Sequence, residues 1–354
     1  MRGAFSAEGI RVSNPSTQSR KRVLSGMRPT GKLHLGNYMG ALANWVRLQK
    51  EYECYFFIAD LHALTTDYAD TSQLPDNTRD VALDWLAAGL DPEKCTIFIQ
   101  SQVSDHSLLH LLFSMITPLG WLERVPTYKE QQENLTGKDL TTYGFLGYPL
   151  LQSADILLYQ PDFVPVGQDQ VAHVELTREV ARRFNQFYKR TDGSEILPEP
   201  QVLLTPAPKL PGTDGRKMSK SYGNTILLSD PEPEIRKKLK PMVTDPARIR
   251  RTDPGDPDKC PVFDLHKVFS SAETQSKVRE GCTTAGIGCI ECKGWLADAV
   301  VAELAPMQER RAKFDQGNLV DDILNEGCKR ATARARQTMT EVRAAVHLPP
   351  EVSE

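Results

Sequence analysis

Two separated segments carry side chains suited to handling a polyphosphate. The first is Gly26-Met27-Arg28-Pro29-Thr30-Gly31-Lys32-Leu33-His34-Leu35-Gly36-Asn37. A glycine-rich turn between a strand and a helix lets backbone approach phosphate closely and aims helix N–H groups at the anion. His34 can donate a hydrogen bond to a phosphate as charge moves onto it. The second is Lys217-Met218-Ser219-Lys220-Ser221, preceded by the glycine-rich stretch Pro211–Arg216. Two lysines and two hydroxyls on a loop can clamp a leaving polyphosphate, and such a clamp accelerates most when it forms in the transition state. Taken singly, the first segment also fits a plain capped turn and the second a solvated basic loop. The pair, one after the first strand and one after the last, points to nucleotide chemistry.

Cysteine supplies a third pattern. Four of the seven cysteines fall in one window, Cys260-x21-Cys282-x6-Cys289-x2-Cys292. Soft thiolates at such spacing suit zinc or an iron–sulfur cluster. The other three cysteines are scattered along a long chain, which is not a disulfide scaffold. Two further polar residues stand out in apolar surroundings: Asp155 in Ala-Asp-Ile-Leu-Leu-Tyr, and His62 at the end of a strand-like run.

These residues need elements to position them. The pattern predicts a strand at Arg22–Met27, a helix from about Leu35 to Lys50, a strand buried on both faces at Cys54–Asp60, a helix at Leu74–Ala88 and a strand at Thr96–Gln100. Residues Thr117–Thr142 break the alternation and read as an insertion. A helix at Leu150–Tyr159, a strand at Phe163–Val166, a long helix from Gln170 and a strand at Val202–Thr205 complete an α/β, doubly wound parallel sheet of Rossmann-like type. Pro206–Thr252 holds 11 Lys/Arg against 5 Asp/Glu and reads as a mobile loop followed by a basic helix, Glu232–Lys240. Helical spacing dominates from Asp253. The expected organisation is a disordered tail over residues 1–21, with a targeting segment as the alternative, a catalytic domain over 22–230 with its insertion at about 117–142, and a mainly helical domain over 231–354.

The 354 residues are 40% apolar and 25% charged, with a net charge of −3. That excludes wholesale disorder and a uniformly basic nucleic-acid coat. No apolar run approaches the ~18 residues of a spanning helix.

The two phosphate-handling segments match the HIGH and KMSKS signatures of class I aminoacyl-tRNA synthetases. Their flanks (GMRPTGKLHLGNYMGAL, FIADLHALTT, YPLLQSADILLY, VPVGQDQVAHVELTREVARRF) resemble the tryptophanyl branch of that family, from about Arg22 to about Leu348. Asn37 at the last HIGH position is usual in the tryptophanyl and tyrosyl branches. The resemblance implies two steps: tryptophan carboxylate attacks the α-phosphate of ATP, releasing pyrophosphate, and a tRNA ribose hydroxyl then takes the aminoacyl group. It implies catalytic roles for His34, Lys217 and Lys220, with Mg²⁺ sharing the phosphate charge. Arg28, Pro29, Thr30, Gly36, Asn37, Gly167, Gln168 and Asp169 would line the ATP site, together with Lys217, Met218, Ser219, Lys220 and Ser221. Asp155 would read the indole N–H, beside Tyr148, Gln152, His62 and Gln170. Tyr148-x3-Gln152-x2-Asp155 is also the tyrosyl pattern, so tyrosyl-tRNA synthetase is the alternative. A small-molecule nucleotidyltransferase and a catalytically inactive RNA-binding or regulatory paralogue are more distant ones. A bacterial subset of the tryptophanyl branch resembles the cysteine window and carries a 4Fe-4S cluster held by such cysteines, with Zn²⁺ as the alternative. The expected partners are tRNA(Trp), L-tryptophan, ATP and a second copy of the chain, in the cytoplasm and away from membranes. The helical domain would meet the anticodon. The basic segment after the last strand and Arg330, Arg334, Arg336 and Arg343 are the candidate tRNA contacts.

Overall fold

The computed structural model describes residues 20–134, 139–205 and 210–351. Residues 1–19 of the expected tail and residues 206–209 of the expected loop lie outside the described residues.

Five strands form one sheet in the order β3-β2-β1-β4-β5, and every neighbouring pair is parallel. They are β1 (Arg22–Met27), β2 (Glu53–Ile58), β3 (Cys95–Ile99), β4 (Phe163–Val166) and β5 (Gln201–Leu204). β1 pairs with β2 from Arg22↔Glu53 to Met27↔Ile58. The apolar run of β2 is buried from Cys54 to Ile58, as a central parallel strand requires. Its side chains alternate between two cores. Phe56 and Ile58 join Trp45 and Trp85 on one face, while Tyr55 and Phe57 join Phe98, Tyr159 and Phe184 on the other.

The helix expected from Leu35 is a composite. α1 (Leu35–Asn37) passes into a π turn (Tyr38–Leu42) and then α2 (Ala43–Leu48). Such widened turns recur at functional sites. α3 (Asp60–Asp67) starts almost directly from β2, so the run read as strand to Asp60 ends at Ile58. α4 (Leu74–Ala88) agrees with its expectation. α5 (Asp105–Ser114) follows β3. The expected insertion holds α6 (Leu119–Glu123) and α7 (Pro126–Asn134), with residues 135–138 outside the described residues. α8 (Tyr143–Tyr159) begins seven residues earlier than predicted, because the helix runs through Pro149 and the Thr142 hydroxyl caps it by accepting from Phe145 N–H at 3.2 Å. α9 (Val171–Phe187) follows a single 3₁₀ turn, Gln168–Gln170.

Beyond β5 the described chain from Leu210 does not run free. Leu210, Met218, Ile226 and Leu228 are buried in the first core. Then come α10 (Glu232–Leu239), α11 (Pro261–Phe269), α12 (Ala272–Thr283), α13 (Cys289–Phe314) and α14 (Leu319–Ala345). The first core runs unbroken from the sheet into Leu296, Val300 and Leu304 of α13. α14 lies against the edge strand β3, where Cys328 Sγ accepts from Ile99 N–H at 3.4 Å. One residue earlier the helix touches the strand backbone: a Cβ on Gly327 would lie 1.7 Å from the Ile97 carbonyl oxygen.

That close approach makes a prediction. Gly327→Ala should lower unfolding stability by ~3 kcal/mol, because either α14 or β3 must shift. The midpoint of urea unfolding measures it, and an unchanged midpoint would show that the helix slides without cost.

Candidate active site

The strand order reverses between β1 and β4, and at their carboxyl ends a cavity of about 340 Å³ opens. This is where ligands of open α/β sheets bind. β1 and its turn contribute Gly26, Met27 and Arg28, and the π turn contributes Gly40 and Ala41. α3 brings His62 and Thr65, and α8 brings Tyr148, Gln152 and Asp155. Gly167 and Gln170 come from the segment after β4, and His173 from α9. A Cβ on Gly167 would meet Asp169 Oδ1 at 2.7 Å, so a larger residue here would displace the Asp169 side chain. Within the 3₁₀ turn, Gln170 Nε2 donates to Asp169 Oδ2 at 3.1 Å.

Asp155 is fully buried. Gln100 Nε2 donates to its Oδ1 at 2.7 Å and His106 Nδ1 to the same oxygen at 2.6 Å. His62 Nε2 donates to Oδ2 at 2.8 Å. Burial alone would raise its pKa, but the hydrogen bonds and charge of His106 and His62 outweigh it and hold the carboxyl below the usual range. Tyr148, on the same helix, shares a 2.8 Å hydrogen bond with Thr127, which shares a 2.6 Å bond with His173 Nε2. Burial, with His62 nearby, lowers the His173 pKa to about 4.

The phosphate-type turn and the lysine loop meet. Leu35 N–H donates to the Ile226 carbonyl at 3.0 Å and Leu228 N–H to the Leu33 carbonyl at 2.9 Å. Lys220 Nζ crosses the seam to the carbonyls of Thr30 (3.0 Å) and Gly31 (2.8 Å). Met218 is buried beneath the turn, Lys217 is exposed, and the Ser219 and Ser221 hydroxyls share a 2.9 Å bond. His34 and Asn37 form a reciprocal cap: Asn37 N–H donates to His34 Nδ1 at 3.3 Å and His34 N–H to Asn37 Oδ1 at 3.1 Å. Burial, then Lys220 and Lys217, lower the His34 pKa to about 4. A neutral ring that accepts at Nδ1 carries its proton on Nε2, so Nε2 is a donor. Gly36 lies flat against this ring, since a Cβ there would meet it at 2.9 Å. Pro29 and Thr30 line a second cavity of about 410 Å³ beside the first. Arg28 borders both and is held by Thr66 and Asp67.

The four window cysteines also converge. Cys260 precedes α11, Cys282 lies in the last turn of α12, and Cys289 and Cys292 occupy the first turn of α13. All four border one cavity of about 20 Å³ with Thr244, Arg248, Val262 and Ile287. Arg248 Nη1 donates to Cys282 Sγ at 3.7 Å, and its other terminal nitrogen donates to the carbonyls of Ile287 (2.6 Å) and Arg251 (2.9 Å). Burial, then the neighbouring thiols, push Cys292 up to about 12. As they stand, no three His, Cys, Asp or Glu among the described residues are spaced to hold a metal ion.

Among the basic residues expected at tRNA, Arg330 and Arg334 are half-buried and donate to Pro92 O (2.9 Å) and Gln160 Oε1 (2.8 Å). Arg336 is exposed and pairs with Glu351 at 3.7 Å, and Arg343 donates to Pro349 O at 3.4 Å. Gln100, His106, Thr127 and His173 escaped the sequence reading. Nothing in the sequence immediately around Gln100 or Thr127 marks them, and His106 and His173 show only as histidines within helical stretches.

The family described as tRNA synthetases class I (W and Y) matches residues 16–305. Tryptophan–tRNA ligase of Thermotoga maritima is 56% identical over 92% of this chain and 99% of its own length. That of Ralstonia nicotianae is 50% identical over 93% and 98%. The crystal structure of tryptophanyl-tRNA synthetase from Campylobacter jejuni complexed with ADP and tryptophan superposes with a TM-score of 0.84, at 33% identity over 92% of this chain and 100% of that one. These relatives set aside the tyrosyl, nucleotidyltransferase and inactive-paralogue alternatives. With a family match over most of its length and relatives at 50–56% identity over 92–93% of it, the chain belongs to the tryptophanyl-tRNA synthetases of class I.

Proposed function

We propose that this chain, an ATP-dependent tryptophan–tRNA ligase by its family, binds tryptophan in the 340 Å³ cavity and ATP along the seam between the His34 turn and the Lys217–Ser221 loop. One observation carries the reading: the seam is stitched by backbone hydrogen bonds and lies beside a cavity with a buried, anionic carboxylate. Asp155 accepts the indole N–H. Tyr148, Gln152, His62 and Gln170 position the rest of the amino acid. Its carboxylate attacks the α-phosphate, so no protein nucleophile is needed, and the protein contributes positioning and charge stabilisation. His34 Nε2–H and the ammonium groups of Lys217 and Lys220 stabilise the leaving pyrophosphate with Mg²⁺. Arg28, Pro29, Thr30, Gly36, Asn37, Gly167, Gln168 and Asp169 line the nucleotide. Lys220 leaves the Thr30 and Gly31 carbonyls to do this. The tRNA(Trp) ribose hydroxyl then takes the tryptophanyl group. A catalytic unit up to residue 230 and an anticodon-binding helical unit beyond it, acting as a homodimer in the cytoplasm, complete the proposal. No helix among the described residues is long and apolar enough to cross a membrane.

The donor chemistry of the cysteine window supports a thiolate-bound group, although as they stand the sulfurs are not spaced to hold a metal ion. Cys260 ahead of α11 and three cysteines of α12 and α13 border one small space, and a guanidinium faces one sulfur. Cys260, Cys282, Cys289 and Cys292 would hold a 4Fe-4S cluster, with Zn²⁺ as the alternative. Such a group would clip α11, α12 and α13 together as a structural centre. Iron and acid-labile sulfide analysis of anaerobically purified protein separates the two.

Three outcomes test this reading. Lys220→Ala should slow tryptophan-dependent ATP–pyrophosphate exchange ~100-fold or more while leaving tryptophan affinity close to wild type. An unchanged exchange rate would remove Lys220 from the phosphate role. Cys289→Ser should lower metal content and cut tRNA charging ~10-fold or more, with exchange preserved. Equal loss of both activities would contradict a separate structural role.

The third concerns acid. The unfolded chain protonates histidine near 6.5, whereas the folded chain holds His34 and His173 neutral down to about 4. Their contribution to stability is therefore whole above about 6.5 and is lost as pH falls toward 4. The urea midpoint should decline across that window, and His34→Gln should decline less steeply. An identical slope would show that His34 is not held neutral.

A further inference from the structure

The Asp155 carboxylate has a back and a front. Oδ1 takes two donors, Gln100 Nε2 and His106 Nδ1, which fill both of its lone pairs. Neither donor borders the cavity. Oδ2 takes one donor, His62, which does border it, and so keeps one acceptor site. Asp155 borders the cavity yet has no exposed surface, so an arriving N–H reaches Oδ2 only as His62 gives way or shares it. Behind His106 stands Tyr159, fully buried, with its hydroxyl 2.9 Å from His106 Nε2.

The proton positions follow. An ionised carboxylate only accepts, so His106 carries a proton on Nδ1. Burial keeps the Tyr159 phenol protonated. His106 Nε2 meets the Tyr159 hydroxyl, which fixes the orientation of the ring. The line Tyr159–His106–Asp155 ends on the oxygen away from the cavity.

We infer that His106, oriented by Tyr159 and assisted by Gln100, is a positioning residue for amino-acid selection: it pins Oδ1 so that Oδ2 alone faces the ligand as an acceptor for the indole N–H. The inference rests on reading Asp155 as the indole acceptor. It assigns a selectivity role to three residues that do not touch the ligand. A residue that only fills the core would affect all amino acids alike, whereas a residue that aims the acceptor affects those with a donor.

The test compares L-tryptophan with β-(3-benzothienyl)alanine, in which sulfur replaces the indole N–H. The readout is the ratio of kcat/KM values in ATP–pyrophosphate exchange with the full chain. His106→Leu should shrink that ratio ~10-fold or more, with the KM for ATP little changed. Tyr159→Phe, which removes one oxygen, should shrink it by a smaller factor. His106→Asn, whose side-chain amide can donate to Oδ1, should recover most of it. If Tyr159→Phe and His106→Leu lower both substrates equally, His106 is core packing and the inference falls. Should His106→Leu fail to fold, Tyr159→Phe and His106→Asn decide alone: an unchanged ratio in the first, or no better than Tyr159→Phe in the second, overturns it. Asp155→Asn separates the two levels, since it turns an amide donor toward the ligand. A ratio that collapses there but holds in the His106 and Tyr159 variants sinks only this inference. One that holds in Asp155→Asn as well sinks the reading of Asp155.

Discussion

Everything in the site depends on five strands running the same way. A parallel sheet delivers all its carboxyl ends to one side, so each strand hands one segment to the same crevice. β1 leads to the turn with Arg28 and His34, β2 to His62 and β3 to Gln100 and His106. β4 leads to Gly167 and Gln170, and β5 to the lysine loop. No two of these segments are adjacent in sequence. The fold is what makes them neighbours, and its cost is that both sheet faces must be covered. α5, α8 and α9 cover one face, while α2, α4 and α13 cover the other, which is why the two hydrophobic cores share no fully buried residue among those described, Ile99 packing against both.

Two buried carboxylates then anchor the two halves of the site. A lone charge in such a core costs several kcal/mol, so each must be partnered. Asp155 on one face has its three donors and borders the cavity at the carboxyl ends of β1 and β4. Asp84, on the other face, accepts Leu33 N–H at 2.9 Å and Arg311 Nη1 at 2.5 Å, and so holds the entry to the His34 turn. Burial pushes Asp84 up to about 6, against the pull of Arg311. The contrast is chemical. Asp155 retains an acceptor site facing a cavity, whereas Asp84 uses both oxygens within the protein and has only a scaffolding part.

The sequence made much of this legible. β1 and β4 fall on the residues predicted, because Val23-Leu24 and Phe163–Val166 are short apolar stretches bounded by turn residues. α4 does too, with Pro75 in its first turn and Gly89 in the left-handed conformation at its end. α3 and α5 were illegible for different reasons. α3 follows β2 across Ala59 alone, so nothing marks the change of period. α5, Asp-His-Ser-Leu-Leu-His-Leu-Leu-Phe-Ser, mixes its apolar and polar residues around the helix and yields a weak face. In the site, the motif-bearing residues were readable, since backbone approach and charge impose local spacing. Gln100, His106, Thr127 and His173 were not, because each meets its partner across 21 to 55 residues of chain. A hydrogen bond of that kind leaves no local period. The cysteine spacing was readable as four thiols that meet, and they border one cavity, but spacing does not identify a group for them to hold.

One helix joins the two ends of the molecule's chemistry. α13 carries Cys289 and Cys292 in its first turn. Farther along, Glu303 accepts from the Tyr38 hydroxyl at 3.0 Å, Gln308 donates to the carbonyls of Leu228 (3.2 Å) and Asp230 (2.7 Å), and Arg311 holds Asp84. At 1.5 Å per residue, Cys289 and Gln308 stand ~28 Å apart on an α-helix. The later half thus braces both the His34 turn and the arm that follows the lysine loop. Between the ends, Leu296, Val300 and Leu304 are buried in the first core. That packing decides how the halves relate. A helix anchored through its middle does not need its first turn to keep its last turns in register. Loosening the cysteine end therefore disturbs the surface formed by α11 and α12 before it reaches the seam between the His34 turn and the lysine loop.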